Sequence, residues 1–277
     1  MQYYPAPGKL NLMLHINGRR EDGFHLLQTV FQILDYGDQI GLELRQDEQI
    51  VRLNDFPQVP DQEDDLVVKA ARLLKSQALK SVPGVNIDVK KNLPSGGGVG
   101  GGSSDAATVL LILNKLWSLS LDSGKLADLG LRLGADVPVF VRAHSAWAEG
   151  VGEKLQAIEL PEKHFLVVFP GCHVSTGEIF SDSQLTRTTG LTTIADFLAQ
   201  GGRNDCEPVV IKRYPQVARA IDWLNQYGHA KLTGTGACIF AEFADRQSAQ
   251  NVLEQLPAEY TGFVAKGVNR SPLLQFV

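Results

Sequence analysis

Of the seven residues from Gly96 to Gly102, six are glycine. Ordering such a run costs backbone entropy, up to about 1 kcal/mol per position relative to alanine. The folded chain must gain something in return. Without Cβ atoms the backbone can wrap closely around a polyanion and turn successive N–H groups inward. The alternating residues Val85, Ile87 and Val89 predict a strand before the run, and an apolar helix is expected after it, from Ser103 to Trp117. The first turn of that helix adds unpaired N–H groups and the positive end of its dipole at the same place. Strand, glycine loop and helix start together suit the phosphates of a nucleotide. A flexible linker is the alternative, and the Ser-Ser-Asp and apolar run that follow directly speak against it. Two better-known phosphate loops do not fit. A loop ending in Gly-Lys-Ser/Thr needs a lysine, and none lies between Asn92 and Asn114. The GxGxxG pattern is met by Gly96, Gly98 and Gly101, but so glycine-rich a run meets it trivially, and no βαβ unit opens the chain.

Composition says how such a chain can hold phosphate. Its 277 residues suggest two modest domains at roughly 150 residues each. With 26 Lys and Arg against 31 Asp and Glu, the net charge is −5, which excludes a broad nucleic-acid-binding surface. Phosphate recognition must be local. Cys172, Cys206 and Cys238 are sparse and odd in number, so they read as reduced thiols and not as a disulfide framework or zinc site. The N-terminus lacks a basic segment followed by an apolar run, and clusters such as Val109–Leu113 are far short of a membrane span. A cytoplasmic protein is expected, a monomer or weak homodimer with a small-molecule substrate and no nucleic acid or membrane partner.

The hydrophobic pattern mixes strands and helices without a βαβ rhythm, so the expected class is α+β. Strands are predicted over Leu10–Ile16, Ile40–Leu44, Ile50–Leu53, Val137–Val141, Phe165–Phe169, Ala237–Phe243 and Tyr260–Val268. Helices are predicted over Leu66–Leu79, Lys125–Leu133, Glu207–Tyr227 (one or two) and Asp245–Leu256. Ala148–Gly152 reads as a turn, and the domain boundary is expected close by, giving domains 1–155 and 156–277.

Three segments, Pro5–Leu12 (PAPGKLNL), Leu93–Ala107 (LPSGGGVGGGSSDAA) and Leu232–Ala241 (LTGTGACIFA), resemble the three motifs of the GHMP small-molecule kinases. DGFHLLQTVFQ, LGADVPVF, NDCE and FVAKGVNRSPL extend the likeness from end to end. Within the family it is nearest to members acting on 4-diphosphocytidyl-2-C-methyl-D-erythritol. The resemblance implies a two-domain fold with the active site in the interdomain cleft. It implies transfer of the ATP γ-phosphoryl group, with Mg²⁺, to the 2-hydroxyl of that acceptor on the non-mevalonate route to isoprenoid precursors. Asp136 matches the family's general base, where spacing alone reads equally as a turn or helix-capping aspartate. Lys9 matches the motif-one lysine beside it, although a lysine at a strand start is usually solvated. Asn11 falls on the same strand face as Lys9.

For ATP the resemblance implies Pro94, Gly96, Gly97, Gly98, Gly100, Gly101, Gly102, Ser103 and Ser104, with Leu66 and Lys90, and adenine near Asp65–Leu66 and Lys90–Lys91. Ser103 or Ser104 would touch Mg²⁺ or the β-phosphate, or simply cap the helix. For the cytidylyl end it implies Phe24, His25 and Phe180, with Thr176 a further contact. Each aromatic also reads as core, and His25 as a turn residue. Phe24 stands where Tyr is frequent in the family, which keeps stacking and loses a phenol. Asp65 stands where some relatives carry Asn. Other readings are a GHMP kinase acting on homoserine or mevalonate, a nucleotide-binding regulatory module without catalysis, and a nicotinamide-dependent oxidoreductase read from GxGxxG.

Overall fold

The computed structural model describes residues 1–55 and 61–277. Its strands are β1 (Gln2–Arg19), β2 (His25–Leu44), β3 (Ile50–Arg52), β4 (Val85–Lys90), β5 (Ala146–Gly150), β6 (Lys154–Ala157), β7 (His164–Phe169), β8 (Lys231–Leu232), β9 (Ile239–Phe243) and β10 (Thr261–Val268). Its helices are α1 (Leu66–Lys75), α2 (Gly101–Leu116), α3 (Ser123–Leu131), α4 (Val137–Arg142), α5 (Thr176–Ser181), α6 (Ile194–Gln200), α7 (Glu207–Arg213), α8 (Pro215–Leu224) and α9 (Arg246–Leu253). The strands pair antiparallel except β3 with β4. The expected α+β class holds.

The frame is a long two-stranded ribbon. β1 pairs with β2 along nearly its whole length, with register shifts near Gly8, Leu12 and Asn17. On its other edge β2 receives β5 at residues 27–31, β10 at Ile33–Leu34 and β4 at residues 39–44. β10 then continues through β7 and β9 to β8. The final strand therefore joins the two halves of the chain.

Both faces of β1 are buried, so its alternation does not mark one inner and one outer face. Tyr4 and Ala6 join a core formed with α1, α2 and α4. Leu10, Leu12 and Met13 face Phe165, Val167 and Phe240 in a second core. Leu14 and Ile16 enter a third, with Val209, Val210 and Val217 of α7 and α8. The extra residue at Leu12 lets the consecutive side chains of Leu12 and Met13 enter the same core. The NDCE segment ties this strand to the C-terminal half. Ile16 N–H donates to Asp205 Oδ2 (2.8 Å), and Asn204 Nδ2 donates to the carbonyls of Leu232 and Gly234.

Two expectations are corrected. Val137–Val141 is not a strand but the body of α4, in which Pro138 occupies the first turn, where its missing N–H costs nothing. Its apolar residues are buried all round by α2 and α3, so periodicity alone could not separate helix from strand. Ala148–Gly152 is not simply a turn: β5 and β6 form a hairpin with residues 151–153 at its tip. That hairpin pairs with β2 and runs through the expected division at 155/156, while β7 begins only at His164. The helices α5 and α6 were not anticipated. They are only six and seven residues long and each starts at a serine or threonine whose side chain accepts from the first turn.

Candidate active site

The first half of the glycine loop is held by the turn of Leu232–Gly236 and the residues that follow it. Cys238 N–H donates to the Gly97 carbonyl (3.0 Å), and Thr233 Oγ1 donates to that of Gly98 (3.4 Å) while accepting from Asn11 N–H (3.0 Å). Gly98 has φ +77°, and a Cβ there would collide with the Thr233 carbonyl. Gly100, at φ +76°, is the N-terminal cap of α2, and a Cβ there would sit 2.8 Å from the Phe140 ring. Because that cap is a glycine, no side chain consumes the first-turn N–H groups, and no acidic residue lies in the turn. The helix start is left open to an anion.

The loop walls a cavity of about 400 Å³. Pro94, Gly96, Gly97, Gly98, Gly100, Gly101, Gly102 and Ser103 line it, with Leu66 at the start of α1 on the far side. Ser104 does not reach it. Its hydroxyl is buried under α2, and Gly100 rather than a serine occupies the cap position, so neither serine caps the helix. Lys90 lies outside as well. Its ammonium sits 3.7 Å from the Tyr3 ring centroid, and it is Lys91 that lines the cavity. Of the expected pair Lys90–Lys91, strand parity separates the two: Val85, Ile87 and Val89 point inward, and 91 continues their series whereas 90 does not.

Lys91 ion-pairs with two buried carboxylates, Asp105 (2.9 Å) and Asp38, the latter also accepting from the backbone N–H of Asn92 and Leu93. Burial pushes the Asp105 carboxyl up to about 7, against the pull of Lys91 and with Asp38 adding to the rise. Asp65 caps α1 through the Val67 N–H (3.0 Å) and pairs with Arg52 (2.7 Å). Both of its oxygens are already engaged.

Lys9 is the pivot of the site. Its ammonium is buried, 3% exposed, and donates to Asn11 Oδ1 (2.5 Å), the Gly98 carbonyl (3.0 Å) and Asp136 Oδ2 (3.2 Å). Three N–H bonds meet three acceptors. Asn11 is held in turn by Thr29, to whose Oγ1 it donates (2.8 Å), and that hydroxyl donates to the Met13 carbonyl (2.5 Å). Asp136 occupies the cap position of α4 but makes no capping hydrogen bond. Its carboxylate turns instead to Lys9 and remains 35% exposed. The ammonium fixes the direction of that carboxylate.

A second cavity, about 570 Å³, opens on the other side of this pair. Lys9, Asn11, Thr29 and Asp136 form its floor. Phe24, His25, Thr176 and Phe180 line its walls, with Arg19, Gly152, Gly234 and Thr235. Phe24 is 62% exposed, so it is not a core residue. His25 stacks on Phe180 with centroids 4.9 Å apart and planes at 27°. The exposed Phe24 ring is a free stacking surface in this cavity, because His25 covers one face of Phe180. Thr176 Oγ1 lies 2.8 Å from Thr235 Oγ1, linking α5 to the second glycine turn. Burial, then the charges of Arg187 and Arg19, hold the His25 imidazole below its usual range. The two cavities share Gly98, Ser103 and Asp136. A glycine-walled anion cavity and a polar acceptor cavity thus meet at a lysine-fixed carboxylate.

That layout defines a phosphotransferase acting on a small molecule. Models of the GHMP kinases N terminal domain and the GHMP kinases C terminal domain match residues 65–144 and 184–262. The 4-diphosphocytidyl-2-C-methyl-D-erythritol kinase of Hahella chejuensis is 53% identical over 97% of this chain and 94% of its own length. That of Thiobacillus denitrificans is 53% identical over 100% and 99%. A crystal structure of 4-(cytidine 5'-diphospho)-2C-methyl-D-erythritol kinase superposes with a TM-score of 0.84 at 30% identity, covering 96% of this chain and all of the other. The chain belongs to the GHMP kinase family.

Proposed function

We propose that this chain is an ATP-dependent kinase of 4-diphosphocytidyl-2-C-methyl-D-erythritol, phosphorylating its 2-hydroxyl on the non-mevalonate route to isoprenoid precursors. The observation that carries this reading is the junction: Gly98, Ser103 and Asp136 belong to both cavities. ATP lies in the first cavity, its phosphates against Gly96–Gly102 and the first turn of α2, its adenine towards Leu66 and Lys91. The acceptor lies in the second, its base against Phe24 and His25 and its polyol over Asp136. Stacking on an aromatic ring is typically worth about 1–3 kcal/mol per base.

The acceptor is a tertiary alcohol, crowded and weakly acidic, so positioning matters as much as activation. Its oxygen attacks the γ-phosphorus, the bond to the β–γ bridging oxygen breaks, ADP leaves, and Asp136 takes the hydroxyl proton. Lys9 holds Asp136 aimed while its charge offsets that developing at the reacting oxygens. Asn11, carried by Thr29, keeps Lys9 in place. The loop amides supply the positive potential that a net charge of −5 conceals.

Mg²⁺ fits this site as a hard cation that keeps several waters and leans on substrate phosphates, and it neutralises phosphate charge when bound. Ser103, which lines both cavities, would be its protein contact, in preference to the buried Ser104. The two domains divide within residues 158–163, between β6 and β7.

Purified protein with ATP, Mg²⁺ and the cytidylyl acceptor is expected to release ADP stoichiometrically with a 2-phosphorylated product. Homoserine and mevalonate are expected to give no turnover. Phosphorylation of either, with the cytidylyl acceptor untouched, would overturn the reading.

A further inference from the structure

Arg187, in the loop between α5 and α6, does not line the acceptor cavity but holds its wall. Its Nη2 donates to the carbonyls of Phe180 (2.9 Å) and Asp182 (2.7 Å), and its Nη1 to that of Leu185 (3.1 Å). These bonds fix the end of α5 and with it the ring of Phe180. The fourth bond has a different consequence. Arg187 Nε donates to His25 Nε2 at 3.1 Å. A guanidinium has no acceptor and stays protonated, so the nitrogen facing it must carry a lone pair. An imidazole with its lone pair on Nε2 is neutral and bears its proton on Nδ1. Burial and the charges of Arg187 and Arg19 disfavour the imidazolium in the same direction.

We infer that Arg187 is a positioning residue for nucleobase selection: it locks His25 as the neutral Nδ1–H tautomer, so that the cavity presents a fixed N–H donor. This rests on the cytidylyl acceptor proposed above. Cytosine offers acceptors at O2 and N3, whereas uracil carries a hydrogen on N3. A donor fixed opposite position 3 complements cytosine N3 and opposes uracil N3–H, whereas O2 accepts in both bases. A histidine free to change tautomer would offer a lone pair to uracil as readily.

The test combines a spectrum and kinetics. Long-range ¹H–¹⁵N correlation of the histidine rings at pH 7, assigned with His25→Gln, is expected to show His25 protonated on Nδ1 and bare on Nε2. In Arg187→Met that pattern should give way to the other tautomer or a mixture. KM for the cytidylyl acceptor should rise about tenfold, with kcat and KM for ATP within about twofold. The calorimetric preference for cytidine 5′-diphosphate over uridine 5′-diphosphate should fall by a similar factor. Arg187→Lys keeps the charge but not the planar fork, and should not restore either property. A wild-type His25 protonated on Nε2, an unchanged spectrum in Arg187→Met, or full rescue by lysine overturns the proposal. The wild-type spectrum and Arg187→Lys decide the matter if Arg187→Met fails to fold. None of the spectra needs substrate, so failure of the functional reading shows separately, as no turnover of the cytidylyl acceptor by the wild type.

Discussion

Lys9 lies in the middle of β1 and Lys91 just past the end of β4, and the structure uses them differently. Lys9 spends its three N–H bonds on Asn11, Gly98 and Asp136, which makes it a strut for the base. Lys91 sits between Asp38 and Asp105 with its charge strengthened: burial works against it, and the two carboxylates, Asp105 first, outweigh burial. One ammonium between two carboxylates leaves a negative charge uncompensated, and Asp105 responds by holding its proton up to about 7. A carboxyl whose pKa is raised on folding stabilises the folded state fully below its unfolded value, near 4, and loses that contribution as pH rises to about 7. Asp105→Asn should therefore gain stability relative to the wild type as pH rises from 5 to 8, measured as the difference in Tm. Parallel Tm curves across that interval would contradict the assignment. Lys9 and Asp136 were legible in the sequence through the motifs that carry them. Asp38 and Asp105 were not, because their significance lies in a contact between residues 53 and 14 positions away from Lys91.

At the scale of elements, the glycine loop announced itself most clearly and was read correctly as strand, loop and helix start. What composition could not show is why particular glycines are needed. Gly98 and Gly100 adopt positive φ, and Gly98 also lies against the Thr233 carbonyl of the second glycine turn. Left-handed backbone costs a residue with a Cβ about 1 kcal/mol or more, and the collision adds to it. Gly98→Ala should destabilise the protein by roughly 2 kcal/mol and weaken ATP at least about tenfold, read by calorimetry with a non-hydrolysable analogue. Unchanged stability and affinity would show that the contact between the two glycine turns is dispensable. Elements buried on all sides were harder to read. α4 carries an apolar run that suits a strand as well as a helix, and only its tertiary setting against α2 and α3 decides between them. α5 and α6 are too short for periodicity to register, yet α5 supplies Phe180 and Thr176 to the acceptor cavity.

For the whole molecule, the motifs imply one reaction served by both halves of the chain, and the connectivity supplies a shared frame for it. β10 pairs with β2 in one half and β7 in the other, and β1 contributes side chains to all three cores. Each cavity is therefore built on a shared frame, and their junction falls where β1 delivers Lys9 beside α4 and Asp136. The polar and glycine-rich text near 150 marks the β5–β6 hairpin. The hairpin itself was missed, since its pairing partner, β2, lies more than a hundred residues earlier. The central claim is that phosphoryl transfer takes place at that junction with Asp136 as base. It is tested most directly by Asp136→Ala, with kcat measured under saturating ATP and cytidylyl acceptor, and ATP affinity measured by calorimetry. The account predicts a fall in kcat of about a thousandfold or more with ATP affinity changed less than about threefold. Retention of more than about a tenth of the wild-type kcat would contradict it.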